Sequence, residues 1–154
     1  LLAGTGGLGV QILMNPGVTY KKSDFVTVAK LLSYTQVAVA QKDMAVNSLA
    51  ELVTAIQKTP RAFSYSSPGI GSSAHLFFEW LNMKHNDKLE IQHVPYNGFN
   101  PALTALLGKH AHVSVLPVNS MVLKNIKGNE LKALAVFSPK RIPFIVIQHQ
   151  ELLL

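Results

Sequence analysis

The period of apolar positions changes along the chain, and each change marks an element. Residues 25–32 and 37–40 are apolar and partly β-branched, with Ser33-Tyr34-Thr35-Gln36 between them. They predict two extended segments crossing between subdomains. Leu49, Leu52, Val53 and Ile56 then recur at helical spacing behind Ser48 and Glu51, which have the spacing of a capping box. Thr59-Pro60 closes that helix. Residues 63–66 read as a strand. A helix follows from Ser73 to about His85, with Leu76, Phe77, Trp80 and Leu81 on its buried face and His75, Glu79 and Asn82 on another. Residues 91–94 predict a short strand and residues 95–100 a loop. Pro101 stands in the first turn of a helix that runs to Leu107 and is capped by Gly108. A strand over residues 112–116, a helix from Asn119 or Ser120 to about Ile126, and a strand over residues 131–137 complete the series. Lys140-Arg141 begins an exit.

Strands alternating with helices at these intervals predict an α/β fold on a parallel-rich sheet. In such sheets ligands bind beyond the carboxyl ends of the strands. Three polar loops fall on that edge, at residues 67–73, 96–100 and 117–120, and each opens a helix. The first runs Ser67-Pro68-Gly69-Ile70-Gly71-Ser72-Ser73 and holds two glycines, several hydroxyls and no acidic residue. Free backbone N–H groups and the positive end of a helix dipole suit an anion there. Gly69 and Gly71 permit positive φ and close approach, and Ser72 or Ser73 can cap the helix. An ordinary strand-to-helix turn with a serine cap has the same composition. The convergence of three such loops is what favours a carboxylate site, with Tyr96 and Phe99 as an apolar wall.

Near the amino terminus, Gly4-Thr5-Gly6-Gly7-Leu8-Gly9 follows residues 1–3, which read as the tail of a buried strand. It matches the G-x-G-x-x-G dinucleotide pattern formally. Asn15-Pro16-Gly17 stops any helix after about a turn and a half, too early for a crossover helix, and Asp24 precedes the next extended segment instead of ending it. A glycine-rich turn presenting N–H groups and the Thr5 hydroxyl remains.

Composition narrows the classes. Hydrophobic residues make up 48% and charged residues 14% of the 154, which excludes disorder. No apolar run approaches the roughly 20 residues of a membrane span. There is no cysteine, hence no disulfide or thiolate metal site. The net charge of +6 is spread over scattered lysines without interleaved aromatics, the pattern of a solvated surface that attracts small anions. Ser72 and Ser73 lack the flanks of a nucleophile elbow. His75 and Glu79 stand one helical turn apart, and His110 and His112 share a strand face. Neither pair forms a metal motif, and no Walker lysine follows a glycine loop. The first residue is Leu1, and the chain stops on Leu152-Leu153-Leu154, so both ends read as cut.

The order of three segments carries a family likeness. Residues 63–76 (FSYSSPGIGSSAHL), 93–108 (HVPYNGFNPALTALLG) and 127–136 (KGNELKALAV) closely resemble the tripartite tricarboxylate transporter substrate-binding proteins, the TctC or Bug family. Residues 1–7, Asn15-Pro16 and residues 48–52 resemble that family's upstream segments. The likeness extends to Arg141. It implies a type II periplasmic-binding-protein fold in which two domains close on a small organic carboxylate and deliver it to a membrane carrier, with no catalysis and no cofactor. It implies residues 1–34 as a remnant of domain one, 35–141 as domain two, and 142–154 as a return segment toward domain one. Hinges would lie near residues 33–36 and 138–141. The carried-over ligand residues are Ser67, Gly69, Gly71, Ser72 and Ser73, with Thr5 and Gly6 from the facing side, and Tyr96, Gly98 and Asn119 beside them. Its implied location is the periplasm, and its implied partners are the transporter's membrane subunits and not nucleic acid. The chain departs from the family in lacking the first glycine-rich loop, in carrying His112 where an aspartate is usual, in a shortened segment between Tyr20 and Phe25, and in Pro143-Phe144-Ile145-Val146-Ile147 after Arg141. The competing readings are the effector domain of a cytoplasmic transcriptional regulator with the same architecture and, last, a dinucleotide-dependent oxidoreductase.

Overall fold

The computed structural model describes residues 9–139 together with Ile142 and Ile145. Its centre is a sheet of five strands, β1 (Gln36–Gln41), β2 (Ser64–Ser67), β3 (Gln92–Pro95), β4 (Val113–Pro117) and β5 (Leu131–Val136), in the spatial order β3-β2-β4-β1-β5. β2 is parallel to β3 and to β4, while β1 is antiparallel to both β4 and β5. Four strands therefore run one way and β1 runs against them. The parallel-rich expectation holds with one exception. β1 enters at the edge where the other four end. Entry and exit lie side by side at that edge, where Phe137 N–H donates to Gln36 O at 3.0 Å and Val118 N–H donates to Thr35 O at 2.8 Å.

Alternation along the strands builds two cores. Val37 and Val39 of β1 face one side with Leu116, Leu103 and Leu106, and Ala38 and Ala40 face the other with Tyr65, Val113 and Val115. α2 (Leu49–Lys58) and α3 (Ser73–Lys84) cover the second side, and α4 (Phe99–Leu107) and α5 (Ser120–Lys127) cover the first. A bulge shifts the β1–β5 register, pairing Ala38 with Ala135 and Val39 with Ala133. Leu134 and Ala135 consequently both turn to the α2–α3 side.

α2 buries Leu49, Leu52, Val53 and Ile56, the four residues its spacing selects. Ser48 accepts the Glu51 N–H at 3.1 Å, and the Glu51 carboxylate reaches one residue further back, to the Asn47 N–H at 2.8 Å. α3 corrects the sequence reading. It buries Ala74, Phe77, Phe78 and Leu81, while Leu76 and Trp80 are 39% and 42% exposed. The sets 74/77/78/81 and 76/77/80/81 both have helical spacing, and α3 is apolar around much of its circumference. Periodicity alone leaves its inner face undecided.

Residues ahead of the sheet depart further from expectation. α1 (Gln11–Met14) is one short turn, ended at Asn15 as the Asn-Pro-Gly signal requires. Asp24 closes a 3-10 turn, Lys22–Asp24, by accepting the Lys21 N–H at 2.8 Å. Residues 25–32 form no strand, and Val26, Val28, Leu31 and Leu32 are 71–96% exposed. A β-branched run becomes a strand only against a neighbouring ladder, and none lies beside it among the described residues. The strand tail at residues 1–3, the exit at Lys140-Arg141 and the 142–154 return segment, apart from Ile142 and Ile145, lie outside the described residues.

Candidate functional site

The connection from β2 to α3 is shaped by its glycines and serines. Gly69 and Gly71 have φ of +131° and +78°, in the region that L side chains avoid. Ser72 N–H donates to Gly69 O at 3.2 Å, which folds residues 69–72 into a tight turn. Ser72 is the N-cap of α3: its Oγ accepts the His75 N–H at 3.4 Å and its carbonyl accepts the Leu76 N–H at 2.9 Å. Among the described residues no acceptor is found for the Ser73 and Ala74 N–H groups, the first two of the helix. These two donors and the Ser72 and Ser73 hydroxyls stand at the positive end of a 12-residue helix.

The loop is braced from its base. Ser67 is fully buried: its Oγ accepts the Gly69 N–H at 3.1 Å, donates to Gly69 O at 3.2 Å and lies 2.6 Å from His93 Nε2. Ser67 thus stands behind the loop, not on its face. The neighbouring loop after β3 is tied to it, with Tyr96 N–H donating to Ser67 O at 2.9 Å and Gly98 N–H donating to Pro68 O at 3.2 Å. Gly98, at φ +108°, therefore has its N–H occupied within the loops. Tyr96 is half-buried between the two, whereas Phe99 packs into the α4–α5 core. Asn119, the N-cap of α5, accepts the Val122 N–H at 3.0 Å. Beyond Gly71 sits α1: a Cβ added at Gly71 would stand 3.1 Å from Val10 Cγ1 and 3.3 Å from Met14 Sδ. α1 and Val10 thus pack beside the loop between β2 and α3. Thr5 and Gly6 lie outside the described residues.

Four residues that sequence reasoning did not assign to the site lead up to it. Phe78, Tyr65, His93 and His75 form a column of stacked rings, with centroid separations of 4.2, 4.6 and 4.7 Å from the core to the loop. His75 Nδ1 accepts the Gly71 N–H at 3.2 Å, and its Nε2 lies 3.9 Å from Glu79 Oε1. Burial, and then the neighbouring His75 ring, hold the His93 imidazole below its ordinary pKa. Burial, with Glu79 adding to it, pushes the Tyr65 phenol above the usual range. The His75/Glu79 spacing was visible in the sequence as a metal-ligand interval. The contact of His75 with Gly71, four residues back, is local, but it depends on the positive φ of that glycine. His110 and His112 sit in the turn before β4 rather than on a strand face, because β4 begins at Val113. His112 Nδ1 accepts the Ser64 N–H at 3.0 Å and ties β4 to β2. Among the described residues no three His, Asp or Glu side chains converge as a metal site would require.

The family model of the tripartite tricarboxylate transporter family receptor matches residues 6–147. The chain is 32% identical over 142 residues to a UPF0065 protein of Bordetella pertussis, covering 92% of this chain and 43% of that protein. It spans less than half the length of the curated relatives it matches. Among solved structures, it superposes on the periplasmic binding protein BugD with a TM-score of 0.63 and 28% identity, over 71% of this chain and 36% of that one. It superposes on R. palustris Rpa4515 with adipate at a TM-score of 0.63 and 27% identity, over 70% and 35%.

Proposed function

The chain belongs to the tripartite tricarboxylate transporter receptor family, and from that premise we propose that it is the carboxylate-holding lobe of a periplasmic solute receptor. The observation that carries this reading is the pair of N–H groups at Ser73 and Ala74 that meet no acceptor among the described residues, flanked by the Ser72 and Ser73 hydroxyls, in a loop without an acidic residue. A carboxylate has two oxygens to be met by such donors. Gly69 and Gly71 give the loop its shape, Ser67 and Gly98 brace it, and Tyr96 and Asn119 flank it. Thr5 and Gly6 are the proposed contributors from the facing lobe.

Residues 35–141 are the second domain, residues 1–34 belong to the first, and residues 142–154 return toward it. The chain enters and leaves the sheet at the ligand edge through neighbouring strands, which supports hinges near residues 33–36 and 138–141. Ligand contacts to both lobes then favour the closed state over the open one. The role proposed is capture and delivery to the membrane subunits of a tripartite carrier, without catalysis. Among the described residues no helix is long and apolar enough to cross a membrane.

The test is an amide-resolved NMR titration of the chain with adipate, using the neutral diamide as control. Saturable shifts centred on Gly71, Ser73 and Ala74, with adipate only, are expected. Shifts centred elsewhere, or none, would sink the assignment.

A further inference from the structure

We infer that carboxylate capture by this loop is linked to uptake of one proton, which enters at His75 Nδ1 as the bond from Gly71 N–H is given over to the anion. The inference rests on the receptor reading above and adds to it a proton-coupled cation that the loop otherwise lacks, since residues 67–73 contain no lysine or arginine.

The geometry sets the tautomer. A backbone N–H can only donate, so the Nδ1 that meets the Gly71 N–H at 3.2 Å carries a lone pair. The proton of neutral His75 therefore sits on Nε2, on the side where Glu79 Oε1 lies at 3.9 Å. In this state one amide of the anion loop is tied to an imidazole lone pair, which would repel an anion placed beside it. A proton on Nδ1 reverses both relations. The Gly71 N–H loses its acceptor and becomes available, and Nδ1–H becomes a second donor next to it, now on a cation.

The surroundings accommodate one such charge. The titratable groups facing His75 are Glu79 on its own helix, His93 on β3 and, beyond that ring, the Tyr65 phenol on β2. Glu79 is 58% exposed and stands beside Nε2. His93 stacks on His75 at 4.7 Å, so the two rings do not readily charge together. Burial and that same neighbour keep His93 the neutral partner, engaged with Ser67 Oγ at 2.6 Å. Tyr65 is held protonated by burial. The added proton thus has one address. By reciprocity, an anion that raises the proton affinity of His75 must itself bind more tightly as pH falls.

Imidazole and amide NMR of the 154-residue chain, with adipate as the probe, test this between about pH 8 and 6.5, where histidine titrates and a carboxylate stays ionised. Adipate should raise the titration midpoint of His75 by about one unit. Its affinity should strengthen as pH falls, by no more than about tenfold in all, the bound that a one-unit shift sets. His75→Gln should bind adipate with no such pH dependence. Amide shifts at the loop with an unmoved His75 midpoint and a constant affinity would overturn the proton linkage and leave the receptor reading standing. A pH dependence that survives in His75→Gln would overturn the assignment to His75. No amide shifts at either pH would remove both.

Discussion

Replacing Gly71 with valine perturbs the loop through its backbone before it touches a ligand. Gly71 sits at φ +78°, where an L residue is strained by about 1–2 kcal/mol and a β-branched one by more. The new Cβ would lie 3.1 Å from Val10 Cγ1, 3.3 Å from Met14 Sδ and 3.9 Å from Gln11 Nε2. These are the ends of flexible side chains on or beside a four-residue helix, so they yield and add little. A loss of about 2–3 kcal/mol in unfolding free energy follows if the loop keeps its shape. If the backbone instead relaxes to negative φ, the strain is relieved, but the Gly71 N–H leaves His75 Nδ1 and the Ser72 N–H leaves Gly69 O. The Ser73 and Ala74 amides then lose their common orientation. Urea unfolding measures the first outcome, and adipate-induced shifts at Ser73 and Ala74 measure the second. Gly98→Ala is the comparison, because Gly98 has φ +108° and nothing within 4 Å of its missing Cβ. With ψ 178° as well, Gly98 lies where essentially only glycine sits, so the substitution isolates backbone strain of about 1–3 kcal/mol without contact with α1. A Gly71→Val chain of wild-type stability that still gives the wild-type adipate shifts would refute the reasoning.

Two further outcomes concern stability. Ile56 is fully buried between α2 and the sheet, and Ile56→Ala should lower the unfolding free energy by about 3 kcal/mol in urea titrations, whereas a loss below about 1 kcal/mol would mean that the α2 core is not packed as described. His93 is held below its ordinary pKa by burial and by His75, so the unfolded chain binds its proton more readily than the folded one. The stability this provides is complete above the unfolded imidazole value of about 6.5 and is lost as pH falls through the lower folded value. A urea series on the unliganded chain should show that decline, and His93→Gln should flatten it; an identical slope in the variant would count against His93 as its source.

The elements of residues 36–136 were legible because each carries its own local cause. Ser48 and Glu51 start α2, Thr59 ends it, and its buried face follows from spacing alone. The loop after β2 was legible for the same reason, since Gly69, Gly71 and Ser72 act on their own backbone. Residues 25–32, expected as an extended segment, form no strand, because strand propensity is a preference for pairing and no ladder lies beside them among the described residues. The face of α3 was misread because its apolar residues satisfy two helical stripes at once.

By itself, then, the sequence determined the helices and strands of residues 36–136, where the glycine- and serine-rich loop after β2 lies and which family the chain resembles. Those properties depend on neighbours within a few residues, or on motif order. The tertiary structure alone decided that β1 runs against the other strands, that Ser67 supports the loop from behind instead of lining it, and that His93 is carried under His75 and Gly71. Each depends on residues far apart in the chain meeting across the sheet. No local periodicity encodes such meetings, because the sheet register that creates them is settled only when both cores close.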